Sequence, residues 1–244
     1  MIIYGKNPVR EFLLQSSSKI IEVLISSEIK RADTDDLIRL AEERGIKITY
    51  LSRESLSKTA RTTSHQGVAA RVSDYDYVGV SQILGKAKES GEKLLVVILD
   101  HLEDPQNFGA IIRSVYVLGG HGIIIPKDRS VSVTPAVVKT SAGTASAVSI
   151  SMVTNIVRVL TELKKSGVWI VGADPSAKTS IRDQDLVGLD IALVIGSEGK
   201  GLKRLVREEC DFFVSIPTIG ALSLNASVAA GIMIYEIQRQ RKRA

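Results

Sequence analysis

The chain of 244 residues predicts an α/β protein in two parts, the second built on a parallel sheet. From Lys93 onward, short runs of Val, Ile and Leu recur at Leu94–Leu99, Gly122–Ile125, Val168–Val171 and Ile191–Ile195, with a weaker run at Phe212–Ile216. Unbroken apolar runs, rather than alternation, mark strands buried on both faces. Helical stretches separate most of these runs. A polar, unpatterned segment at Ser73–Gly79 divides them from the shorter elements before it.

In the first part, Asn7 followed by Pro8 predicts a helix start, with Asn as cap and Pro at the first helical position. Ile20–Ile25 is a strand candidate. Asp33–Arg44 is helical and stopped by Gly45, and Ile46–Leu51 is again strand-like. A short helix from Ser52 leads to the loop Ser64-His65-Gln66-Gly67 and the strand Val68–Val72. Residues 1–74 are therefore read as one domain, 75–92 as a linker carrying a helix from Val80 to Ser90, and 93–244 as the second domain. Helices of the second domain begin near Asn107, Thr134-Pro135, Thr154, Leu202 and Asn225. Trp169 and Phe212-Phe213 sit on strand candidates and are read as core. There is no internal repeat and no low-complexity tract.

Hydrophobic residues at 44% and charged residues at 24% exclude a disordered or fibrous chain. No apolar run approaches the roughly 20 residues of a spanning helix, and the start lacks the order of a signal peptide. A lone Cys210 cannot form an internal disulfide, which fits a reducing cytoplasm and a structural role. Lys plus Arg exceed Asp plus Glu by 32 to 27, a mild surplus compatible with a polyanionic partner. The basic run Arg239-Gln-Arg-Lys-Arg243 suits a solvated helix end. His65, His101 and His121 form no metal or catalytic set, and no metal is expected. His65 is as much a loop-packing residue as a contact to a partner.

Three loops carry polar groups of chemical interest. The first is Asp104-Pro-Gln-Asn107-Phe-Gly109-Ala-Ile-Ile-Arg113. Phe108, Ile111, Ile112, Val115 and Leu118 form the apolar stripe of its helix, and Arg113 lies off that stripe. Helical side chains lean toward the N-terminus, so Arg113 is expected over Gly109, beside Asn107 and the first helix amides. That is either an anion site or a capped helix with a solvated Arg. The second loop, Gly196-Ser-Glu198-Gly199-Lys-Gly201, fits neither a Walker A loop nor a dinucleotide fingerprint. It is a close-approach ligand loop or a plain tight turn. The third runs through Ile216-Pro217 to Ser223-Leu224-Asn225-Ala-Ser227. Asn225 or Ser223 caps a helix rich in small residues (Ala226, Ala229, Ala230, Gly231).

In this order the three loops resemble the SpoU branch of the SPOUT RNA methyltransferases. The likeness covers residues 94–240, including Lys139-Thr-Ser-Ala-Gly143. Tyr4-Gly-Lys-Asn-Pro-Val-Arg-Glu11 and His65-Gln-Gly67 resemble the amino-terminal domain of the subgroup that methylates a guanosine in 23S rRNA, a domain similar to a ribosomal RNA-binding protein. The resemblance implies a parallel-sheet methyltransferase domain with a C-terminal trefoil knot, a homodimer, and S-adenosylmethionine as methyl donor to a ribose 2′-hydroxyl. It assigns catalysis to Arg113, Asn107, Glu198, Ser223 and Asn225. It assigns the cofactor to Gly196, Gly199, Ile216, Leu224 and Asn225, and RNA binding to Lys6, Asn7, Arg10, His65 and Gln66. Family analogy gives proton removal to Arg113. A guanidinium stays protonated, so phosphate binding and stabilisation of the developing alkoxide are the roles expected of it. A tRNA ribose as substrate, or a non-catalytic RNA-binding or ribosome-assembly protein, are the alternatives. No membrane partner is expected.

Overall fold

The computed structural model describes residues 1–220 and 222–242, so Ala221 of the third loop and Arg243 of the basic run lie outside the described residues. Two compact units form: Met1–Asp76 with Val133–Ala147, and Tyr77–Ser132 with Val148–Ala244.

In chain order the first unit contains β1 (Ile2–Tyr4), α1 (Lys6–Gln15), β2 (Ile20–Ser26), α2 (Asp35–Glu43), β3 (Lys47–Leu51), α3 (Arg53–Ala60) and β4 (Val68–Val72). Its sheet runs β1-β4-β2-β3, with only the β2–β3 pair parallel. Asn7 does not cap α1. Gly5 does, at φ 101°, because the chain must turn sharply out of β1, and this leaves Asn7 exposed inside the first turn. Lys6 and Arg10 pair with Asp33 and Asp36 at 3.8 and 3.1 Å. Gln66 accepts from the Lys6 amide at 3.2 Å.

The second unit contains α4 (Val80–Ser90), β5 (Leu95–Asp100), α5 (Pro105–Leu118) and β6 (Gly122–Pro126). After the excursion through α6 (Pro135–Thr140) it continues with β7 (Ile150–Val153), α7 (Ile156–Lys165), β8 (Trp169–Ala173), β9 (Ile191–Gly196), α8 (Arg204–Glu209), β10 (Phe212–Val214) and α9 (Ala226–Arg241). Its six strands run in the order β10-β8-β9-β5-β6-β7, every neighbouring pair parallel. The helix from Val80 to Ser90 is no linker, since Ile83 and Ala87 enter the core of this unit. The segment with α6 packs on the first unit instead. A side chain at Gly143 would meet Glu11 Cβ at 2.6 Å, and the Lys139 amine lies 5.8 Å from the Tyr4 ring centre. Both differences arise from tertiary packing, which local pattern does not encode.

Trp169 is 44% exposed, its ring 6.1 Å from that of Phe212, so it is not core: it is the first residue of β8, at the amino end of the strand. The basic tail is also more built than a solvated end. Arg241 donates to the Lys93, Leu94 and Leu189 carbonyls at 2.8–2.9 Å. Burial, and then the charge of Asp211, push the Cys210 thiol up to about 12, which keeps it protonated and inert. Among the described residues, no helix is long and apolar enough to cross a membrane and no group of His, Cys, Asp or Glu is placed to hold a metal.

His65 is fully buried, which removes it from any RNA-contacting surface. Its Nδ1 accepts from the Gly67 amide at 3.0 Å, so Nε2 carries the hydrogen and donates to Ser57 Oγ at 2.9 Å. Burial first, and the Arg53 charge second, lower its pKa below the ordinary 6.5. Because the folded pKa is depressed, the stability held by neutral His65 is present above the unfolded value and lost as pH falls through it. Thermal melts should therefore show wild type losing more stability than His65→Gln between about pH 7.5 and about pH 5.5. Equal losses would contradict this reading of the ring.

Candidate active site at the carboxyl ends of the central strands

β5 and β9 are the middle strands of the second sheet, paired in register from Leu95–Ile191 to Asp100–Gly196. Their carboxyl ends therefore open side by side. The chain order also reverses here, with β6 and β7 on one side and β8 and β10 on the other. In open α/β sheets such a switch point is where ligands bind.

After β5, Asp104 caps α5, accepting from the Gln106 and Asn107 amides at 3.1 Å each, with Pro105 in the first helical position. The cap comes three residues before Asn107, so the Asn107 side chain is free for another task. Its Nδ2 donates to Glu198 Oε1 at 2.9 Å. From the third loop, Asn225 Nδ2 donates to the same Glu198 oxygen at 2.6 Å and to Asn107 Oδ1 at 2.9 Å. Asn225 Oδ1 caps α9 through the Ser227 and Val228 amides at 2.9 and 3.3 Å. A carboxylate only accepts, so this chain of contacts fixes the orientation of both carboxamides. The three loops thus meet in one hydrogen-bonded knot of side chains.

The second loop is a tight turn closed by two backbone bonds between Ser197 and Gly201, at 2.9 and 3.2 Å. A Cβ at Gly196 would sit 2.3 Å from the Gly201 carbonyl carbon, so the loop folds back only over glycine. Gly199, at φ 74°, supplies the left-handed step that presents Glu198 to the two asparagines.

Two cavities flank this turn and share Ser197, Glu198 and Gly201 as a common wall. The larger, about 860 Å³, lies on the side of Gly196, Gly199, Ile216, Ser223, Leu224 and Asn225. Pattern reading had no signal for Ala173, Asp174 and Met233, which complete its lining from β8 and α9. Asp174 is buried. Burial raises its pKa, but hydrogen bonds from Ser176 and the Arg207 guanidinium outweigh that and leave it lowered. The smaller cavity, about 410 Å³, is bounded by Asn107 and by His101, Arg129, Lys200 and Lys203. Pattern reading assigns no role to the last three, and it places His101 in no catalytic set.

Arg113 is not part of either lining. It is exposed on α5, on the face that also carries the exposed Tyr116 and Val117, and its side chain bonds to no described residue. In this chain it therefore shares neither cavity with Asn107 or Glu198.

Removing the central acceptor should loosen all three loops. Glu198→Ala breaks three exposed or half-buried bonds, from Asn107 Nδ2, Asn225 Nδ2 and the Ala226 amide, that are together worth about 1–2 kcal/mol. Amide exchange at residues 197–201 and 225–228 should accelerate roughly tenfold. Unchanged protection there would refute a joining role for Glu198.

Residues 94–235 match the SpoU rRNA Methylase family, and residues 2–78 match the RNA 2′-O ribose methyltransferase substrate-binding domain. YacO of Bacillus subtilis strain 168, described as a TrmH family tRNA/rRNA methyltransferase, is 42% identical over 98% of this chain and 95% of its own length. A tRNA/rRNA methyltransferase of Mycolicibacterium vanbaalenii is 42% identical over 100% of this chain and 77% of its own. The crystal structure of the SpoU methyltransferase AviRb from Streptomyces viridochromogenes, in complex with AdoMet, superposes with a TM-score of 0.82 at 26% identity, covering 100% of this chain and 91% of that one. With matched family regions over both units, and three polar loops joined where that family's domain lies, the chain belongs to the SpoU rRNA Methylase family of RNA methyltransferases.

Proposed function

We propose that this protein transfers a methyl group from S-adenosylmethionine to the ribose 2′-hydroxyl of a guanosine in 23S rRNA. The observation that carries the reading is the Asn107–Glu198–Asn225 network on the wall shared by two cavities. One cavity would take the donor and the other the acceptor.

The larger cavity fits the donor. Its volume of about 860 Å³ lies within the usual range for small-molecule sites. Ile195, Ile216, Leu224 and Met233 give it an apolar wall suited to a purine, and the loops at 196–201 and 216–225 offer backbone polar groups around it. Bound there, S-adenosylmethionine supplies an electrophilic methyl on a sulfonium. The network keeps the two loops at fixed separation and so positions the acceptor oxygen, a contribution that lowers the barrier without any covalent step by the protein. The crystal structure of AviRb in complex with AdoMet supports the choice of donor. The first unit would dock RNA through Lys6, Asn7, Arg10 and Gln66, a reading that its match to an RNA 2′-O ribose methyltransferase substrate-binding domain supports. Family likeness also carries the proposal of a trefoil knot through the third loop.

We further propose a homodimer formed through α5 and α9. Val228, Ile232 and Tyr235 are exposed at i, i+4 and i+7 on α9, while Ala230, Met233, Ile234 and Ile237 are buried on its opposite side. A helix apolar on all sides is a helix covered on all sides. Arg113 shares the exposed face with Tyr116 and Val117 on the neighbouring α5, so it would reach the site of the second copy and grip an RNA phosphate there.

Transfer of a radiolabelled methyl to 23S rRNA transcript, with nuclease mapping of the product, tests the reaction. A single guanosine 2′-O-methyl mark is expected, and a labelled base or no label would refute it. Mixing Arg113→Ala with Asn107→Ala tests the shared site. Each alone should be inactive, and random pairing should restore roughly a quarter of wild-type activity. No recovery would place Arg113 in its own subunit's site.

A further inference from the structure

Asp100 closes β5 fully buried, and both its oxygens are engaged. Oδ2 accepts from the Lys203 amide at 2.6 Å, and Oδ1 accepts from His101 Nδ1 at 2.5 Å. Adjacent residues of a strand point to opposite faces, so neighbours do not ordinarily bond in this way. His101 does so because its backbone turns left-handed, at φ 58°. The Nδ1 hydrogen is committed to Asp100, which leaves Nε2 with its lone pair and no partner among the described residues. His101 lines the smaller cavity together with Asn107 and Glu198. Arg129, another non-glycine residue held left-handed, at φ 52°, lines it too. The side chains of Arg129, Lys200 and Lys203 form no ion pair with a described residue. Backbone strain of this kind gathers where a site demands it.

We propose that this cavity holds the acceptor nucleotide and that His101, oriented by Asp100, is the base that takes the 2′-hydroxyl proton. The proposal rests on the reaction proposed above. The ribose O–H bond breaks and its proton passes to Nε2. The oxygen pair forms the new O–C bond, and the C–S pair returns to sulfur. The products are a methyl ether, an uncharged thioether and a His101 imidazolium that loses its proton to water. The unpaired cations hold the flanking phosphate. The charged groups around the ring are Asp100, bonded to it, and those that line the same cavity: Glu103 and Asp104 on its own loop, Glu198 and Lys200 on the turn after β9, Lys203 before α8 and Arg129 after β6.

Single-turnover methyl transfer to 23S rRNA transcript, followed across pH for wild type, His101→Gln and His101→Asn, tests this. Asn tolerates the left-handed backbone and, like Gln, cannot accept the proton. For wild type the logarithm of the rate should rise with unit slope to a plateau, the signature of a single general base. Both variants should lose that limb and fall by about 10²-fold or more. Calorimetry should find their S-adenosylmethionine affinity unchanged. Independently of turnover, guanosine 5′-monophosphate should shift the His101 ring resonance in wild type. Active wild type with unaltered profiles in both variants overturns the role of His101 alone, as does an unmoved ring resonance. Wild type that methylates no ribose overturns the proposed reaction and this role together.

Discussion

One carboxylate oxygen organises the site. Glu198 Oε1 receives the amide hydrogens of Asn107 and Asn225, which lie 118 residues apart in the chain and on two different helices. Neither bond is worth much by itself in so exposed a place. Their value is geometric, because each asparagine has a second commitment. Asn107 accepts from Asn225, and Asn225 caps α9, so a shift in one loop is felt in the other two. The cavities on either side take their shape from this junction.

The junction is possible because of the sheet below it. Unbroken aliphatic runs bury β5 and β9 on both faces and pair them in register to their last residues, so the loops that follow start from adjacent, rigid points. Gly196 then allows the chain to fold back over itself at a distance no side chain permits. α9 starts at Asn225 and packs along α5, so the third loop returns to the starting point of the first. The apolar residues of α9 are buried on one side of the helix and exposed on the other.

Much of this was legible in the residues. The five aliphatic runs are the strands they promised, and the three polar loops do converge. What failed to show was whatever depended on partners distant in sequence. Ile150–Val153 became a strand that its short, mixed composition did not announce, because β6 offered it an open edge. Asn7 looked like a cap, but Gly5 took that place under the demand of the β1 turn. His65 carried a polar signature in a polar loop, yet two local bonds drew it wholly inside. Arg113 has the expected spacing from Asn107 yet lines neither cavity in this chain. The Asp100–His101 pair left no trace at all, because only a left-handed turn makes adjacent side chains meet.

The claim that three loops act as one junction is most directly tested by a double-mutant cycle. S-adenosylmethionine affinity would be measured by calorimetry for wild type, Asn107→Ala, Asn225→Ala and the double variant. Coupled loops predict that the second substitution costs less once the first is present, with an interaction energy of about 1 kcal/mol or more. Strictly additive losses would mean that the two asparagines act independently and that Glu198 joins nothing.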